Sequence, residues 1–490
     1  MRVLFASSEV APFSKTGGLA DVSGALPQAL ARLGLEVRVV TPLYRAIREG
    51  PWGLARRGEA HVASQAGSVE RVALWEGALP GGGPPVWFVD HPRSFDRPGL
   101  YGEGGRDYPD NLERFALFCR ALLEWSKASG WVPDVVHCND WQTALVPVYL
   151  RASGDRLWDP VGSVLTIHNL AYQGLFPAEK FALLGLPEDL FTPRYLEFWG
   201  RVNLLKGGLV FADTLNTVSE TYAREIQSPE LGCGLEGVLR ERAQDLYGIL
   251  NGVDYSVWDP RHDPHIPARY GPEDLSGKAT CKAALQREVG LREEPVVPLF
   301  GMVSRLVEQK GVDLLVACVD RFPEAGAQLV LLGTGDPEYE AQLQGAGRRH
   351  PGWVAVRIGF DERLAHWIEA GCDAFLMPSR YEPSGLNQLY SLRYGTVPVV
   401  RKTGGLADSV LDATPEALAR GEATGFVFEE YSPEAFWAAV ERALVAYRDP
   451  ETWRRLVRAG MAADFSWDRA ARRYVDLYTL AKAKRTGVIS

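Results

Sequence analysis

One heptapeptide occurs twice in this 490-residue sequence. KTGGLAD runs from Lys15 to Asp21 and again, letter for letter, from Lys402 to Asp408. In both copies a lysine and two glycines precede an apolar run, which predicts a turn into a helix whose unpaired backbone N–H groups can bind an anion. One such turn is a weak signal. Two identical turns predict two facing domains that bind the same substrate.

The second copy lies in a longer stretch, from Pro378 to Val410, that contains another predicted turn into a helix. Glu382 precedes a proline, which disfavours helical backbone at Glu382. Ser384 and Gly385 then precede an apolar run at helix spacing that begins at Leu386, so a second anion-binding helix N-terminus is expected here. The Glu382 carboxylate either lies beside the sugar of a bound diphosphate or interacts with the helix dipole.

Basic residues also follow a strand predicted over 297–303. Arg305 and Lys310 lie beside glycine-containing turns in a chain whose net charge is −9, and this pattern favours a bound phosphate or pyrophosphate. Each of them alone is more typical of a solvated surface charge, and it is their occurrence together with the Ser384-Gly385 turn that favours a nucleotide site. The negative net charge argues against nucleic acid or an anionic membrane as a partner.

Other nucleotide and cofactor motifs are missing from the sequence. There is no G-x-x-x-x-G-K-[ST], which excludes the P-loop class, and the Gly333-Thr-Gly-Asp336 turn lacks the third glycine of a dinucleotide fingerprint. No His, Asp and Glu set has metal-ligand spacing. We therefore expect neither a metal ion nor another cofactor.

Polar residues follow two strands of the N-terminal half, predicted over 135–138 and 163–167. Asp140 follows the first strand and His168 follows the second. The carboxyl ends of parallel strands are where α/β sheets bind ligands. Asp140 could equally cap a helix, and His168 could equally be a structural histidine. Trp141, Tyr101 and Tyr108 are candidate stacking faces for sugar rings or members of the core.

Strand and helix patterns alternate along the whole chain, which predicts an α/β fold, and 490 residues exceed what one core holds. We predict domains at 1–250 and 251–465 and a C-terminal helix within 466–490. A strand over 211–218 and a mobile loop over 100–108 are also expected. The six cysteines are scattered and form no C-x-x-C pair, which is typical of reduced thiols in a cytoplasmic protein. The sequence has no apolar run long enough for a signal peptide or a membrane span, so we expect no membrane association.

Several motifs together resemble those of bacterial glycogen synthases and the related starch synthases. They are KTGGLADV at 15–22, HCNDWQTAL at 137–145, TIHNLAYQG at 166–174, GILNGVD at 248–254, SRLVEQKG at 304–311 and SRYEPSGLNQLYSLRYGTVPVVRKTGGLAD at 379–408. The resemblance implies a GT-B fold, in which two Rossmann-like doubly wound domains face each other across a cleft and the last helix crosses back to the first domain. It also implies transfer of glucose from ADP-glucose to the non-reducing 4-hydroxyl of an α-1,4-glucan such as glycogen, with retention of configuration and without a metal. It leaves the oligomeric state open.

The resemblance also implies roles for individual residues. Those expected at the donor diphosphate are Lys15, Gly17, Gly18, Arg305, Lys310, Ser384, Gly385, Leu386, Thr403, Gly404 and Gly405. Those expected at the donor glucose are Glu382, His168 and Asn251, with Glu382, His168, Arg305 and Lys310 taken as catalytic. Those expected on the acceptor side are Asp140, Asp21 and Glu9. Phe360 is expected near the base, and Gly333 is a further substrate-binding residue. Tyr390 stands where related GT-B transferases have a second glutamate, so no ribose-binding carboxylate is expected there.

The expected mechanism follows from charge. Cleavage of the bond between the anomeric carbon and phosphate leaves an anionic diphosphate, which Arg305, Lys310 and the helix N-termini would stabilise. No carboxylate nucleophile can be placed, which favours attack on the same face as the leaving group. The alternatives are a UDP-glucose-using glucan synthase, a GT-B nucleotide-sugar epimerase and an inactive glucan-binding protein. Intact Lys15, Arg305, Lys310 and Glu382 argue against the last.

Overall fold

A computed structural model describes residues 1–63 and 69–487, which form two compact units. The first unit comprises Met1–Val218, Ala223–Gly252 and the chain from Trp467 on. The second unit comprises Ser219–Tyr222 and Val253–Ser466. Apart from the four-residue segment Ser219–Tyr222, the chain passes between the units after Gly252 and after Ser466, and the sequence predicted divisions after residues 250 and 465.

A nine-stranded sheet organises the first unit. Its order along the sheet is β14-β13-β9-β8-β1-β2-β5-β4-β3, and it is parallel from β14 to β5 with an antiparallel β3–β4 hairpin at one edge. The strands of the first unit are β1 Arg2–Ala6, β2 Glu36–Pro42, β3 Ala55–Ala63, β4 Val69–Ala78, β5 Pro85–Asp90, β6 Gly102–Glu103, β7 Arg106–Asp107, β8 Val135–Asn139, β9 Gly162–Ile167, β10 Leu175–Pro177, β11 Glu197–Phe198, β12 Arg201–Asn203, β13 Thr214–Thr217 and β14 Leu246–Gly248.

The central strands are short apolar runs because both of their faces are buried. In β1 the side chains of Val3, Leu4 and Phe5 are all 0% exposed, as expected for a parallel strand covered on both faces by helices. From β1 the chain builds the sheet towards β2 and β5, then returns to the other side of β1 with β8. The β1–β8 pair is therefore the topological switch point of this sheet, where ligands bind in such folds.

Helices cover the sheet of the first unit. They are α1 Gly18–Arg32, α2 Arg45–Arg48, α3 Pro92–Phe95, α4 Asn111–Ala128, α5 Leu145–Ala152, α6 Leu204–Phe211, α7 Glu220–Glu225, which spans a boundary between the units, and α8 Glu236–Glu241. The strand predicted over 211–218 is shorter than expected. Phe211 ends α6, which begins where Asn203 accepts a hydrogen bond from the Lys206 N–H, and only Thr214–Thr217 is strand.

The C-terminal helix, α19 (Trp467–Thr486), packs on the sheet of the first unit. The hydroxyl of Tyr478 is hydrogen-bonded to Nδ1 of His137 on β8 at 2.8 Å. The hydroxyl of Tyr474 accepts a hydrogen bond from Asn216 on β13 at 2.9 Å. A β-carbon on Gly162 of β9 would lie 2.8 Å from the carbonyl carbon of Ala481, so the helix lies directly against the strand backbone.

Two smaller sheets extend the first unit. Strands β10, β12 and β11 form a three-stranded antiparallel sheet in that order. Strands β6 and β7 form a hairpin within 100–108, where the sequence predicted a mobile loop. Tyr101 precedes this hairpin, and its hydroxyl donates a hydrogen bond to Glu9. This contact between residues far apart in sequence explains why composition alone suggested a loop.

The second unit has a six-stranded parallel sheet in the order β17-β16-β15-β18-β19-β20. The chain runs outward from β15 to β17 and then returns to the other side of β15 with β18. The β15–β18 pair is therefore the switch point of this sheet. The strands are β15 Leu299–Val303, β16 Gln328–Gly333, β17 Val354–Ile358, β18 Ala374–Met377, β19 Val397–Arg401 and β20 Phe426–Phe428.

The helices of the second unit lie on both faces of its sheet, with an apolar cluster under each face. They are α9 Ser276–Val289, α10 Val312–Cys318, α11 Arg321–Glu324, α12 Pro337–Arg349, α13 Glu362–Gly371, α14 Asn387–Tyr394, α15 Gly404–Ser409, α16 Pro415–Arg420, α17 Pro433–Tyr447 and α18 Pro450–Ala462. Short 3₁₀ helices lie at Pro80–Gly82, Arg156–Trp158, Ala178–Leu184, Glu188–Leu190, Ala243–Asp245 and Glu308–Lys310. Within 1–63 and 69–487, no helix is both long and apolar enough to cross a membrane.

Candidate active site

The loop after β1 is held in place by the carboxylate of Glu9. This side chain is buried at 4% exposure and accepts hydrogen bonds from the Thr16 N–H at 2.5 Å, the Thr16 hydroxyl at 2.6 Å and the Tyr101 hydroxyl at 2.6 Å. The Gly17 N–H also points to it, at 3.3 Å. Glu9 thereby fixes the first KTGG turn. The sequence predicted that Glu9 lies on the acceptor side. In the structure its hydrogen bonds hold the loop that carries Lys15.

Lys15 itself extends into solvent. Its ammonium group lies 2.7 Å from the carboxylate of Asp21, and the two side chains are 53% and 32% exposed. An ion pair this exposed contributes little to stability, so an incoming anion can compete for the lysine. Gly17 has extended backbone with φ −158°, and no atom lies within 4 Å of where its β-carbon would be. Gly18 is the first residue of α1.

The loops after β8 and β9 are joined through Asp140. Its backbone has φ +57°, a left-handed conformation that Asp tolerates better than most residues. Its N–H donates to the Thr166 carbonyl at 2.9 Å, and its carboxylate accepts the His168 N–H at 2.7 Å. A second backbone hydrogen bond comes from Asn169. The carboxylate therefore binds the neighbouring loop instead of capping a helix.

The protonation of His168 follows from its neighbour Asn139. The Asn139 amide nitrogen donates to the Ala6 carbonyl at 3.0 Å, which orients its amide oxygen towards Nε2 of His168 at 2.9 Å. Nε2 must therefore carry the proton, and Nδ1 remains an acceptor. Burial lowers the pKa of His168 to about 3, so the ring is neutral at physiological pH and can accept a hydrogen bond from a hydroxyl group.

Burial acts on Asp140 in the opposite direction. It raises the pKa of the Asp140 carboxyl to about 7, against the lowering effect of the two backbone N–H donors and with a smaller contribution from the charge of Glu9. The pKa of Asp140 is thus higher in the folded than in the unfolded chain. The protonated carboxyl therefore contributes to the free energy of unfolding in full below about pH 4, and this contribution is lost as the pH rises through about pH 7.

The variant Asp140→Asn keeps an oxygen for the two N–H donors but cannot ionise. We expect its stability relative to the parent chain to increase as the pH rises from about pH 4 to about pH 7, because only the parent has a carboxyl that ionises less readily in the folded than in the unfolded state. Thermal unfolding of both proteins across this range measures the effect. His137 and His168 are present in both proteins, so their titrations cancel. A stability difference that is constant with pH would contradict the assigned pKa.

Asn251 follows β14 and lies in the first unit, just before the chain enters the second. It is 6% exposed, and its side-chain oxygen is buried without a hydrogen-bond partner among the residues that the structure describes. Buried polar atoms are rarely left unpaired. The orphaned oxygen is therefore suited to accept a hydrogen bond from a ligand hydroxyl.

In the second unit, the loops after β15 and β18 place Lys310 against Glu382. The ammonium nitrogen lies 2.6 Å from the carboxylate, and the side chains are 20% and 6% exposed. Ser379 donates a further hydrogen bond to the same carboxylate oxygen at 3.1 Å. Arg305, on the same loop as Lys310, is exposed and donates to Gln309 at 3.2 Å. Both cations thus follow β15, and the carboxylate follows β18, at the switch point.

Glycines let these loops pack backbone against backbone. A β-carbon on Gly311 would lie 2.0 Å from the Pro378 carbonyl oxygen, and one on Gly333 would lie 2.0 Å from the Ser304 carbonyl oxygen. A β-carbon on Gly404 would lie 1.9 Å from the Glu382 carbonyl oxygen, and one on Gly405 would lie 1.9 Å from that of Ser384. The loops after β15, β16, β18 and β19 are therefore fixed to one another, and Glu382 is held between two of them.

The helix α14 begins beside Glu382 without a side-chain cap. Leu386 occupies its N-cap position, and no side-chain cap hydrogen bond is made there. Gly385 has φ +66°, and the hydroxyl of Ser384, a residue 6% exposed, is buried without a partner among the described residues. Uncapped backbone N–H groups and an orphaned hydroxyl form an anion-binding arrangement of the kind expected from the sequence.

The two copies of KTGGLAD adopt different conformations. In the first copy the N-cap is Gly17 and α1 starts at Gly18. In the second copy the N-cap is Thr403 and α15 starts at Gly404, whose φ is +43°. Lys402 is paired with Glu429 at 2.6 Å, whereas Lys15 is paired inside its own heptapeptide. Identical residues thus form two different turns.

Phe360 and Tyr390 are two further positions in the second unit that the sequence analysis discussed. Phe360 is 85% exposed after β17, where it is accessible to a ligand. Tyr390 is buried and stacks on Trp258, with ring centroids 4.0 Å apart and planes at 3°. Tyr390 therefore makes an aromatic contact, at a position where the sequence predicted no ribose-binding carboxylate.

Sequence reasoning missed Thr16, Asn139 and Ser379, which hold Glu9, His168 and Glu382 respectively. Each lies one to three residues from a predicted site residue or inside a recognised motif, so motif membership was the available signal. Within the described part of the chain, no group of three or more His, Cys, Asp or Glu side chains has the arrangement of a metal site.

Comparisons with known proteins identify the family of the chain. Residues 2–241 match the family described as starch synthase catalytic domain, and residues 286–460 match glycosyl transferases group 1. The chain is 55% identical to a glycogen synthase of Anaeromyxobacter dehalogenans, covering 99% of this chain and 100% of that protein. It is 52% identical to glycogen synthase 1 of Methylococcus capsulatus, covering 99% and 97%.

Solved structures show the same fold. The catalytic domain of starch synthase IV from Arabidopsis thaliana, bound to ADP and acarbose, matches with a TM-score of 0.90 and 37% identity over 98% of this chain and 99% of that one. Sucrose-phosphate synthase from Thermosynechococcus elongatus, 18% identical over 97% and 98%, matches with a TM-score of 0.58 and shares the fold. The architecture is α/β of the GT-B type, and the chain belongs to the bacterial glycogen synthase family, within the glycosyltransferases related to starch synthases.

Proposed function

We propose that this chain is a glycogen synthase that transfers glucose from ADP-glucose to the non-reducing 4-hydroxyl of an α-1,4-glucan, with retention of configuration. The observation that carries the proposal is the switch point of the second unit. There a lysine, a carboxylate and an uncapped helix N-terminus lie on loops that are locked together by glycines. The ADP and acarbose bound to the related starch synthase IV support both the donor and the acceptor class.

The cations are proposed to stabilise the leaving diphosphate. Negative charge develops on it as its bond to the anomeric carbon breaks, and preorganised cations and N–H groups stabilise such charge strongly. Lys310, Arg305 and the N–H groups at Ser384–Leu386 and Thr403–Gly405 would supply this stabilisation. Lys15 would exchange its exposed pairing with Asp21 for a donor phosphate. With these groups present, no metal ion or cofactor is proposed.

The donor glucose is proposed to bind through hydroxyl groups. Its hydroxyls would donate to the carboxylate of Glu382, to Nδ1 of neutral His168 and to the orphaned oxygen of Asn251. Asp140 and Asp21 would border the acceptor, and Glu9 would act indirectly by fixing the Lys15 loop. Phe360 would stack on the nucleotide base, where an exposed aromatic ring is available.

Retention is proposed to follow from attack on the face that the diphosphate leaves. The bond from the anomeric carbon to phosphate oxygen breaks, the bond to the acceptor 4-oxygen forms, and the acceptor hydroxyl proton passes to the departing phosphate. Glu382 is already paired with Lys310, which suits a charge-stabilising role better than that of a nucleophile. Trapping a covalent glucosyl group on any side chain of the chain would contradict this route.

Donor choice is tested by incubating the protein with primer glycogen and either ADP-glucose or UDP-glucose, while diphosphate release and chain growth are measured. We expect kcat/KM to be at least about tenfold higher with ADP-glucose, a difference of about 1.4 kcal/mol in transition-state binding. Equal use of UDP-glucose would contradict the donor assignment. Donor turnover without primer would favour the epimerase instead. The cytoplasmic location stays a prediction from the sequence.

A further inference from the structure

Trp199 is the most exposed aromatic residue that the proposed function does not use. Its side chain is 84% exposed in the two-residue turn Trp199-Gly200 between β11 and β12. Both turn residues have positive φ, +52° and +74°, as in the hairpin turns that favour Asn-Gly. Left-handed backbone costs a residue with a side chain about 1–2 kcal/mol. Little packing offsets this cost, because the indole lies mostly in solvent.

The turn is a fixed support for this ring. The Gly200 N–H donates to the Glu197 carboxylate at 2.6 Å, and Arg201 donates to the Leu175 carbonyl at 2.9 Å. Phe198 lies edge-on to the indole, with ring centroids 6.3 Å apart and planes at 75°. Phe198 in turn lies against Gly234, where a β-carbon would be 2.9 Å from the phenyl ring. The indole is therefore presented at a defined position.

The sheet that carries the turn is continuous with the candidate acceptor side of the same unit. Strand β10 begins at Leu175, directly after the loop that contains His168. Phe176 of β10 contacts Trp141, with ring centroids 5.8 Å apart, and Trp141 follows Asp140 in sequence. A polymer whose end lies near Asp140 can therefore follow this small sheet.

The chemistry around Trp199 favours a neutral, hydroxyl-rich ligand. The residues near Trp199 in sequence carry both signs of charge, since Arg194 and Arg201 are exposed and Glu197 is half-buried. This mixture does not form the basic patch that an anionic membrane requires, nor the apolar patch of a protein interface. An α-linked glucose ring has a C–H face that stacks on indole and hydroxyls that hydrogen-bond to guanidinium and carboxylate groups. A glucan fits both features.

We propose that the Trp199 turn is a second glucan-binding site, which holds a glycogen chain away from the reacting end. The proposal rests on the proposed function, since it deepens the binding of the acceptor. A second contact raises the effective concentration of chain ends at the active site. It matters for a long or branched acceptor and not for a trisaccharide too short to occupy both sites.

The test compares Trp199→Ala with the parent chain. We expect KM for glycogen to rise roughly three- to tenfold, as for loss of one aromatic stacking contact, while kcat and KM with maltotriose and KM for ADP-glucose stay unchanged. Trp199→Phe should retain part of the glycogen affinity. Val445→Ala, which truncates another exposed apolar side chain at 65% exposure, is the matched control and should change nothing.

Direct binding separates this proposal from the proposed function. Electrophoresis of each variant through a gel containing glycogen should show less retardation for Trp199→Ala than for the parent, even if no donor is turned over. Failure of the parent chain to extend maltotriose would instead count against the proposed function. Unchanged glycogen KM and retardation in Trp199→Ala would overturn the second site. So would a concentration-dependent dimer of the parent that Trp199→Ala abolishes, because the ring would then bind another copy of the chain.

Discussion

Replacing Glu382 with Gln is expected to lower kcat by about 10²–10³-fold, the usual effect of removing one preorganised group that stabilises transition-state charge. The substitution keeps the shape of the side chain and removes its charge. Glu382 is 5% exposed and is hydrogen-bonded to Lys310 and Ser379, so its carboxylate is held in one position. A donor sugar that develops positive charge at its anomeric carbon would lose the nearby carboxylate.

Donor affinity should respond differently from turnover. The neutral glutamine leaves Lys310 without its anionic partner, so the anionic diphosphate should bind as tightly as before or more tightly. We therefore expect an unchanged or lower Kd for ADP, measured by calorimetry, together with the fall in kcat. Glu429→Gln is the matched control, because Glu429 also pairs with a lysine but is 74% exposed. An unchanged kcat in Glu382→Gln, or a parallel loss of ADP binding, would contradict the assigned role.

Replacing Gly404 with Ala is expected to lower both stability and activity. The new β-carbon would lie 1.9 Å from the Glu382 carbonyl oxygen, and the backbone φ of +43° would be strained. We expect the free energy of unfolding to fall by about 1–2 kcal/mol from backbone strain and by a further amount of about 1–3 kcal/mol from overpacking. Since the overlap falls on the backbone of Glu382, we expect kcat/KM to fall by at least about 100-fold, because a small misplacement of catalytic groups has effects of this size.

The duplicate heptapeptide provides the control for this variant. Gly17→Ala makes the same change at the same position of KTGGLAD, but its backbone is extended and its β-carbon would meet no atom within 4 Å. Thermal unfolding should therefore show a lower Tm for Gly404→Ala and an unchanged Tm for Gly17→Ala. Equal losses of Tm in the two variants would contradict this explanation, because the space around the β-carbon and the backbone conformation would then not determine whether the turn accepts alanine.

Much of the fold was accessible from local pattern. The strand Ala374–Met377 begins and ends where its apolar run does, because a strand buried on both faces shows an uninterrupted apolar run. Val354–Ile358, at the edge of the same sheet, was also found from its apolar residues although Arg357 interrupts them. The placement of Asp140 and Glu382 after such strands then followed from the general rule for parallel sheets. The assignment to a family, by contrast, depended on the resemblance of several motifs to known sequences and not on local pattern.

The remaining features depend on partners far away in sequence. The two KTGGLAD copies have identical sequences, yet Lys15 pairs with Asp21 while Lys402 pairs with Glu429, and the second copy packs on the Glu382 loop. Glu9 is occupied by Tyr101, 92 residues away, in a stretch whose composition indicated a loop. The tautomer of His168 depends on how Asn139 contacts β1. None of these contacts leaves a local pattern.

The most direct test of the proposed function is a time course of proton NMR spectra of the protein with ADP-glucose and maltotetraose. We expect the anomeric signal of the donor to decrease while the signal of internal α-1,4-linked glucose increases in equal amount, because each transfer retains the configuration of the donor. Growth of a β-linked anomeric signal, release of free glucose, or conversion of the donor into another nucleotide sugar without chain growth would contradict it.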